Sequence, residues 1–169
     1  ELGVFVVGFP QPHADLAAAD VPPALQLSAG AAQAFHAALG LAVAPDAAEA
    51  MLCMLSTTAD WREIAGVPLV IEAGCEDTAV KRGVLAKVEA ACGDGTIIAT
   101  NTSTISLDVL AEGMRRPERL VGMHFFNPAH RMPLVEVIRI YETADSVVAA
   151  ALRFVKSIRK TAVLVRNRE

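Results

Sequence analysis

The sequence predicts a doubly wound, mostly parallel α/β domain. Two observations carry this. Six short runs are apolar almost throughout rather than alternating: Val4–Val7, Leu69–Ala73, Thr96–Thr100, Arg119–Phe125, Leu134–Ile140 and Thr161–Val165. Strands of that kind are buried on both faces, as in parallel sheets. Between them lie helical stretches punctuated by Gly and Pro, the order expected of βαβ units. The 169 residues suit a single domain, 1–169, that buries its core without staples.

Each element has a local cause. Val4–Val7 is β-branched and aromatic and ends at Gly8. In the first third, Ala14–Ala19, Gly30–Leu39 and Asp46–Leu52 read as helices, and Ala24–Ser28 and Leu41–Ala44 as strands. Asp77 to Ala91 reads as a helix with Val80, Val84 and Val88 on its inner stripe and Gly93 past its end. Ser106 is placed to cap a helix Leu107–Met114. Asp145–Arg159 is amphipathic, with Val148, Leu152 and Val155 inward.

Composition narrows the function classes. Hydrophobic residues make up 53% and charged residues 20%, which excludes a disordered chain. The net charge of -4 and pI of about 5.6 argue against nucleic acid or an anionic membrane as partner. Mean hydropathy is +0.41, yet no apolar run is long enough to span a bilayer. The opening ELGVFVVGFPQP lacks a basic segment and is not expected to be a signal peptide. Cys53, Cys75 and Cys92 are odd in number and lack metal-ligand spacing. They predict reduced, mostly buried thiols, a cytoplasmic setting and no metal.

Ligands of such folds sit beyond the carboxyl ends of the strands. Glu76, Asp77 and Lys81 follow one strand; Asn101, Thr102, Ser103 and Thr104 follow the next. His124 and Asn127 belong to the third, and Glu136 lies within the fourth. A histidine beside two phenylalanines is more often a core residue than a catalyst. Glu136, however, interrupts an apolar run, and a buried carboxylate needs a partner. If the two strands are neighbours, Glu136 reaches one imidazole nitrogen and leaves the other free to take a proton.

The run Gly122-Met-His-Phe-Phe-Asn-Pro-Ala129 with Met132-Pro-Leu-Val-Glu-Val-Ile138 resembles the signature of the 3-hydroxyacyl-CoA dehydrogenases. Val70-Ile-Glu-Ala73 with Glu76-Asp77 and Lys81, and Ala99-Thr-Asn-Thr-Ser103, agree in order and spacing. The resemblance covers roughly residues 56–167. It implies a Rossmann-like NAD domain that oxidises the 3-hydroxyl of an acyl-CoA. It further implies His124 as general base with Glu136 as its orienting partner, and Ser103 and Asn127 on the substrate oxygen. Glu76, Lys81 and Asn101 would stand on the cofactor side. The family continues into an all-helical domain that dimerises and completes the acyl-CoA site. Packing against such a domain, or self-association through apolar residues near Phe125, Phe126, Met132 and Leu134, is therefore expected.

The first turn departs from the pattern. A G-x-G-x-x-G fingerprint should follow the first strand, but the chain reads Gly8-Phe-Pro-Gln-Pro-His13. Gly8 matches the first glycine. Pro10 and Pro12 remove amide donors, and Ala24–Ser28 ends without a carboxylate for the ribose. Weakened NAD binding is expected. Two classes therefore stand: a dehydrogenase domain of a larger enzyme, and a non-catalytic Rossmann-like interaction module.

Overall fold

In a computed structural model, which describes residues 60–129 and 131–167, five strands form one sheet. They are Leu69–Glu72 (β1), Ile97–Thr100 (β2), Leu120–Phe125 (β3), Leu134–Arg139 (β4) and Thr161–Arg166 (β5), side by side in chain order. Three helices connect them: Thr78–Ala91 (α1), Leu107–Ala111 (α2) and Asp145–Ser157 (α3). The chain divides into two compact units, and the described residues from Ile64 onward belong to one of them. The elements expected before Trp61, and the turn from Gly8 to His13, lie outside the described residues.

The Rossmann-like, mostly parallel reading holds. β1, β2 and β3 pair in parallel, as do β4 and β5, while β3 and β4 are antiparallel. Alternation along the strands divides the core in two. Leu69, Ile71, Ala99, Val121, Met123, Val135 and Val137 face α3 through Val147, Ala151 and Val155. Val70, Ile98 and Leu120 are fully buried on the opposite face, where α1 and α2 lie. Gly122 belongs to this second face. A Cβ there would meet Ile138 Cβ at 2.8 Å and Leu107 Cδ2 at 3.2 Å, so glycine lets β4 and α2 close over β3.

Several expectations are corrected. The buried stripe of α1 is Lys81, Leu85, Val88 and Glu89, not Val80–Val84–Val88. Burial of the two charged residues is possible because each has buried or backbone partners. The Asp77 side chain caps α1 by accepting from Val80 N at 2.9 Å. Its far end is not a left-handed glycine cap, since Cys92 is extended and no described glycine has positive φ. α2 stops at Ala111, two residues before the helix-breaking Gly113, and Ser106 makes no side-chain cap bond. α3 stops at Ser157 because Arg159 turns left-handed at φ 60° and Lys160 N bonds back to Val155 O. Arg119 precedes β3 in a 3-10 turn and, almost fully buried, donates to Gly93 O at 2.7 Å. Val163 and Leu164 of β5 are exposed, so the described residues do not cover both faces of that strand. Cys92 is buried, Cys75 is exposed, and Cys53 lies outside the described residues.

Candidate active site

The antiparallel pairing of β3 and β4 creates the site. It sets His124 directly opposite Glu136, and opposed residues of such a pair share one face of the sheet. His124 Nδ1 lies 2.9 Å from Glu136 Oε2. An ionised carboxylate can only accept, so Nδ1 carries the hydrogen that this bond shares. The Ser103 hydroxyl lies 3.3 Å from Nε2, within hydrogen-bond distance. Phe126 packs against the imidazole, with ring centroids 4.7 Å apart. The pair is neither sealed nor fully wet: side-chain exposure is 19% for His124 and 33% for Glu136.

The Thr102–Thr104 loop that carries Ser103 is bonded to Glu76. Glu76 Oε1 accepts from Thr102 Oγ1 at 2.5 Å, from the amides of Ser103 and Thr104 at 2.9 Å each, and from Thr104 Oγ1 at 3.1 Å. Burial opposes the Glu76 charge, but these hydrogen bonds outweigh it and lower the carboxyl to about 2. Asn101 Oδ1 accepts from Phe125 N at 2.8 Å and ties the end of β2 to the end of β3.

Lys81 is almost wholly buried. Its ammonium donates to both oxygens of Glu72 at 3.0 and 2.9 Å and to Gly74 O at 3.3 Å, and stands 3.6 Å from Glu76 Oε2. Glu72 also accepts from Thr100 Oγ1 and Gly74 N. Sequence reasoning missed Glu72 as a partner. The signal was available: like Glu136, it is a carboxylate inside an apolar strand.

The structure thus brings together Ser103, His124 and Glu136, and joins Glu76 and Lys81 to them through the Ser103 amide. Asn127 is exposed just beyond β3, and Met132 is exposed on the same connection. Phe125, Phe126 and Leu134 are half-buried, not the open patch expected. Gly8 lies outside the described residues. Among the described residues no cluster of His, Cys, Asp and Glu could hold a metal ion.

Parallel strands ending at a polar rim, with an imidazole held by a carboxylate across the β3–β4 pair, define a Rossmann-like domain with its polar side chains gathered at the strand ends. The profile of the family "3-hydroxyacyl-CoA dehydrogenase, NAD binding domain" matches residues 15–168, and the chain belongs to that family. Over 110 residues, 65% of this chain, it is 47% identical to the fatty acid oxidation complex subunit alpha of Pseudomonas syringae, of which it spans 15%. A 3-hydroxybutyryl-CoA dehydrogenase structure from Escherichia coli matches 83% of the chain with TM-score 0.78 and 34% identity, over 32% of its own length. The (S)-3-hydroxybutyryl-CoA dehydrogenase of Ralstonia eutropha matches 83% of the chain with TM-score 0.76 and 31% identity, over 53% of its own length.

Proposed function

We propose that the protein carries the catalytic half-site of an NAD-dependent dehydrogenase that oxidises the 3-hydroxyl of a 3-hydroxyacyl-CoA to the ketone. The observation behind this reading is the ordered line Glu136–His124–Ser103, in which Nδ1 faces the carboxylate and Nε2 faces the Ser103 hydroxyl. His124 Nε2 takes the hydroxyl proton. As that O–H bond breaks, the oxygen's electrons form the C=O bond and C3 releases hydride. Glu136 holds the ring and balances the imidazolium that forms. Ser103 and Asn127 hold the developing oxygen charge.

The rim fits a nicotinamide dinucleotide in one testable respect. Glu76 keeps a carboxylate ionised beside the strand ends, suited to a cationic nicotinamide and its ribose. Bound there, NAD would supply the hydride acceptor. Asn101 and Glu76 would stand on that side, with Lys81 behind Glu76 and Gly8 at the pyrophosphate turn. An acyl-CoA substrate, a cytoplasmic setting and packing against a helical domain or a second copy complete the proposal. Among the described residues no helix is long and apolar enough to cross a membrane.

The test is reduction of acetoacetyl-CoA by the full-length protein, followed as loss of NADH absorbance. Turnover that falls about 10²-fold or more in His124→Gln supports the reading. A folded protein that neither turns over nor binds NADH in a fluorescence titration overturns it. The non-catalytic module is favoured by one observation, the prolines at Pro10 and Pro12. Micromolar NADH binding would count against it.

A further inference from the structure

Glu76 has more partners than a cofactor contact needs. Four donors of the Thr102–Thr104 loop converge on its Oε1 alone. Two are consecutive backbone amides, so the carboxylate fixes the path of the loop and not merely its side chains. The Thr102 hydroxyl also accepts from Ile105 N at 3.0 Å, carrying the same constraint toward α2. Behind Glu76, Oε2 faces the buried Lys81 ammonium, which Glu72 and Gly74 already hold. A carboxylate braced on one side and bonded fourfold on the other cannot swing without breaking the loop. Ser103 sits in the middle of that loop, exposed, with its hydroxyl on His124 Nε2.

We infer that Glu76 is a positioning residue that sets Ser103 against Nε2 of His124, with Lys81 as its buried counter-charge. The inference rests on the dehydrogenase reading and gives a distinct role to a residue that the resemblance places beside the cofactor. It acts through geometry: a small misplacement of an oxygen-holding group costs rate without weakening ground-state binding. The two roles separate in kinetics. A cofactor contact raises KM for NADH, whereas a positioning residue lowers kcat and loses its effect once Ser103 is gone.

The experiment is a double-mutant cycle in the full-length protein with Glu76→Ala, Ser103→Ala and both together. Glu76→Ala should lower kcat for acetoacetyl-CoA reduction about tenfold at saturating NADH, so that any change in KM for the cofactor is read apart from it. The double variant should be no slower than Ser103→Ala alone. Glu76→Gln keeps an acceptor for the two amides and should recover part of the loss. Multiplicative single effects, or a raised KM for NADH with kcat intact, would overturn the inference. If Glu76→Ala fails to fold, Thr102→Val removes one of the four bonds and enters the same cycle, with the same two outcomes. Absent wild-type turnover sinks the dehydrogenase reading, not this inference. The Nε2 nitrogen resonance of His124 then decides: it should move alike in Glu76→Ala and Ser103→Ala, and an unmoved resonance in Glu76→Ala overturns the assignment.

Discussion

Glu72 and Glu136 project from the same face of the sheet, as the register through Thr100, Gly122 and Ile138 requires. Each meets a basic side chain at 2.9 Å. Around Glu72 every polar valence is taken: Lys81, Thr100 Oγ1 and Gly74 N surround a carboxylate with no solvent exposure. Around Glu136 the network runs through His124 to an exposed hydroxyl, that of Ser103, 3.3 Å from Nε2. The first pair joins the β1 end to the first turn of α1. The second holds an imidazole that is itself partly exposed. Similar 2.9 Å contacts therefore sit in opposite settings, one sealed and saturated, the other partly exposed.

The comparison can be broken first at Lys81. Lys81→Met leaves the Glu72 carboxylate buried without a counter-charge, and should cost about 3–5 kcal/mol in thermal or denaturant unfolding. Adding Glu72→Gln should recover most of that loss, because the amide carries no charge and still accepts hydrogen bonds. A single variant as stable as wild type would show that the pair is not structural.

His124→Gln should do the reverse. Stability should stay within about 1 kcal/mol of wild type, while turnover falls about 10²-fold or more. A large loss of stability with proportionate loss of activity would make the second pair a copy of the first.

Gly122→Ala sharpens the contrast from between the two pairs. The added methyl meets Ile138 Cβ at 2.8 Å, one cross-strand pair on the same face from the dyad. Overpacking of that kind should destabilise by about 1–3 kcal/mol. It should also lower kcat by shifting β4, and with it Glu136. Unchanged stability would mean that β4 yields freely, and that the dyad is not held by its strand.

The smallest effect concerns acid. Glu76 is held at about 2 against an ordinary 4.5. Its folded-state pKa is depressed, so its contribution to stability is present above about 4.5 and is lost as pH falls toward 2. Glu76→Gln should therefore flatten that arm of the stability curve and leave its slope above pH 5 unchanged. The side chain is 39% exposed, so the effect is modest. An identical acid arm in both proteins would remove Glu76 from the charge balance of the rim.

Much of this was legible without coordinates. The near-continuous apolar runs predicted β1 to β5 to within about a residue at most ends, because burial on both faces leaves little room for polar residues. Glu136 was found by the cost of burying a carboxylate in such a run, and His124 by the need for its partner. The same reasoning applied to Leu69–Ala73 would have found Glu72. The inner stripe of α1 was misread because Lys81 and Glu89 are charged, and hydrophobic periodicity cannot register a charge whose partners lie on other elements.

By itself the sequence determined the class of fold, the strands and the residues able to transfer a proton, since these depend on local burial patterns and on the chemistry of single side chains. The tertiary structure alone decided that β3 and β4 run antiparallel in the register that opposes His124 to Glu136. It also decided that Lys81 turns inward to Glu72, and that Glu76 gathers the loop bearing Ser103. Those are relations between elements far apart in the chain. Hydrogen-bond geometry and the desolvation of paired charges select among them only once the sheet has brought the strand ends to one rim.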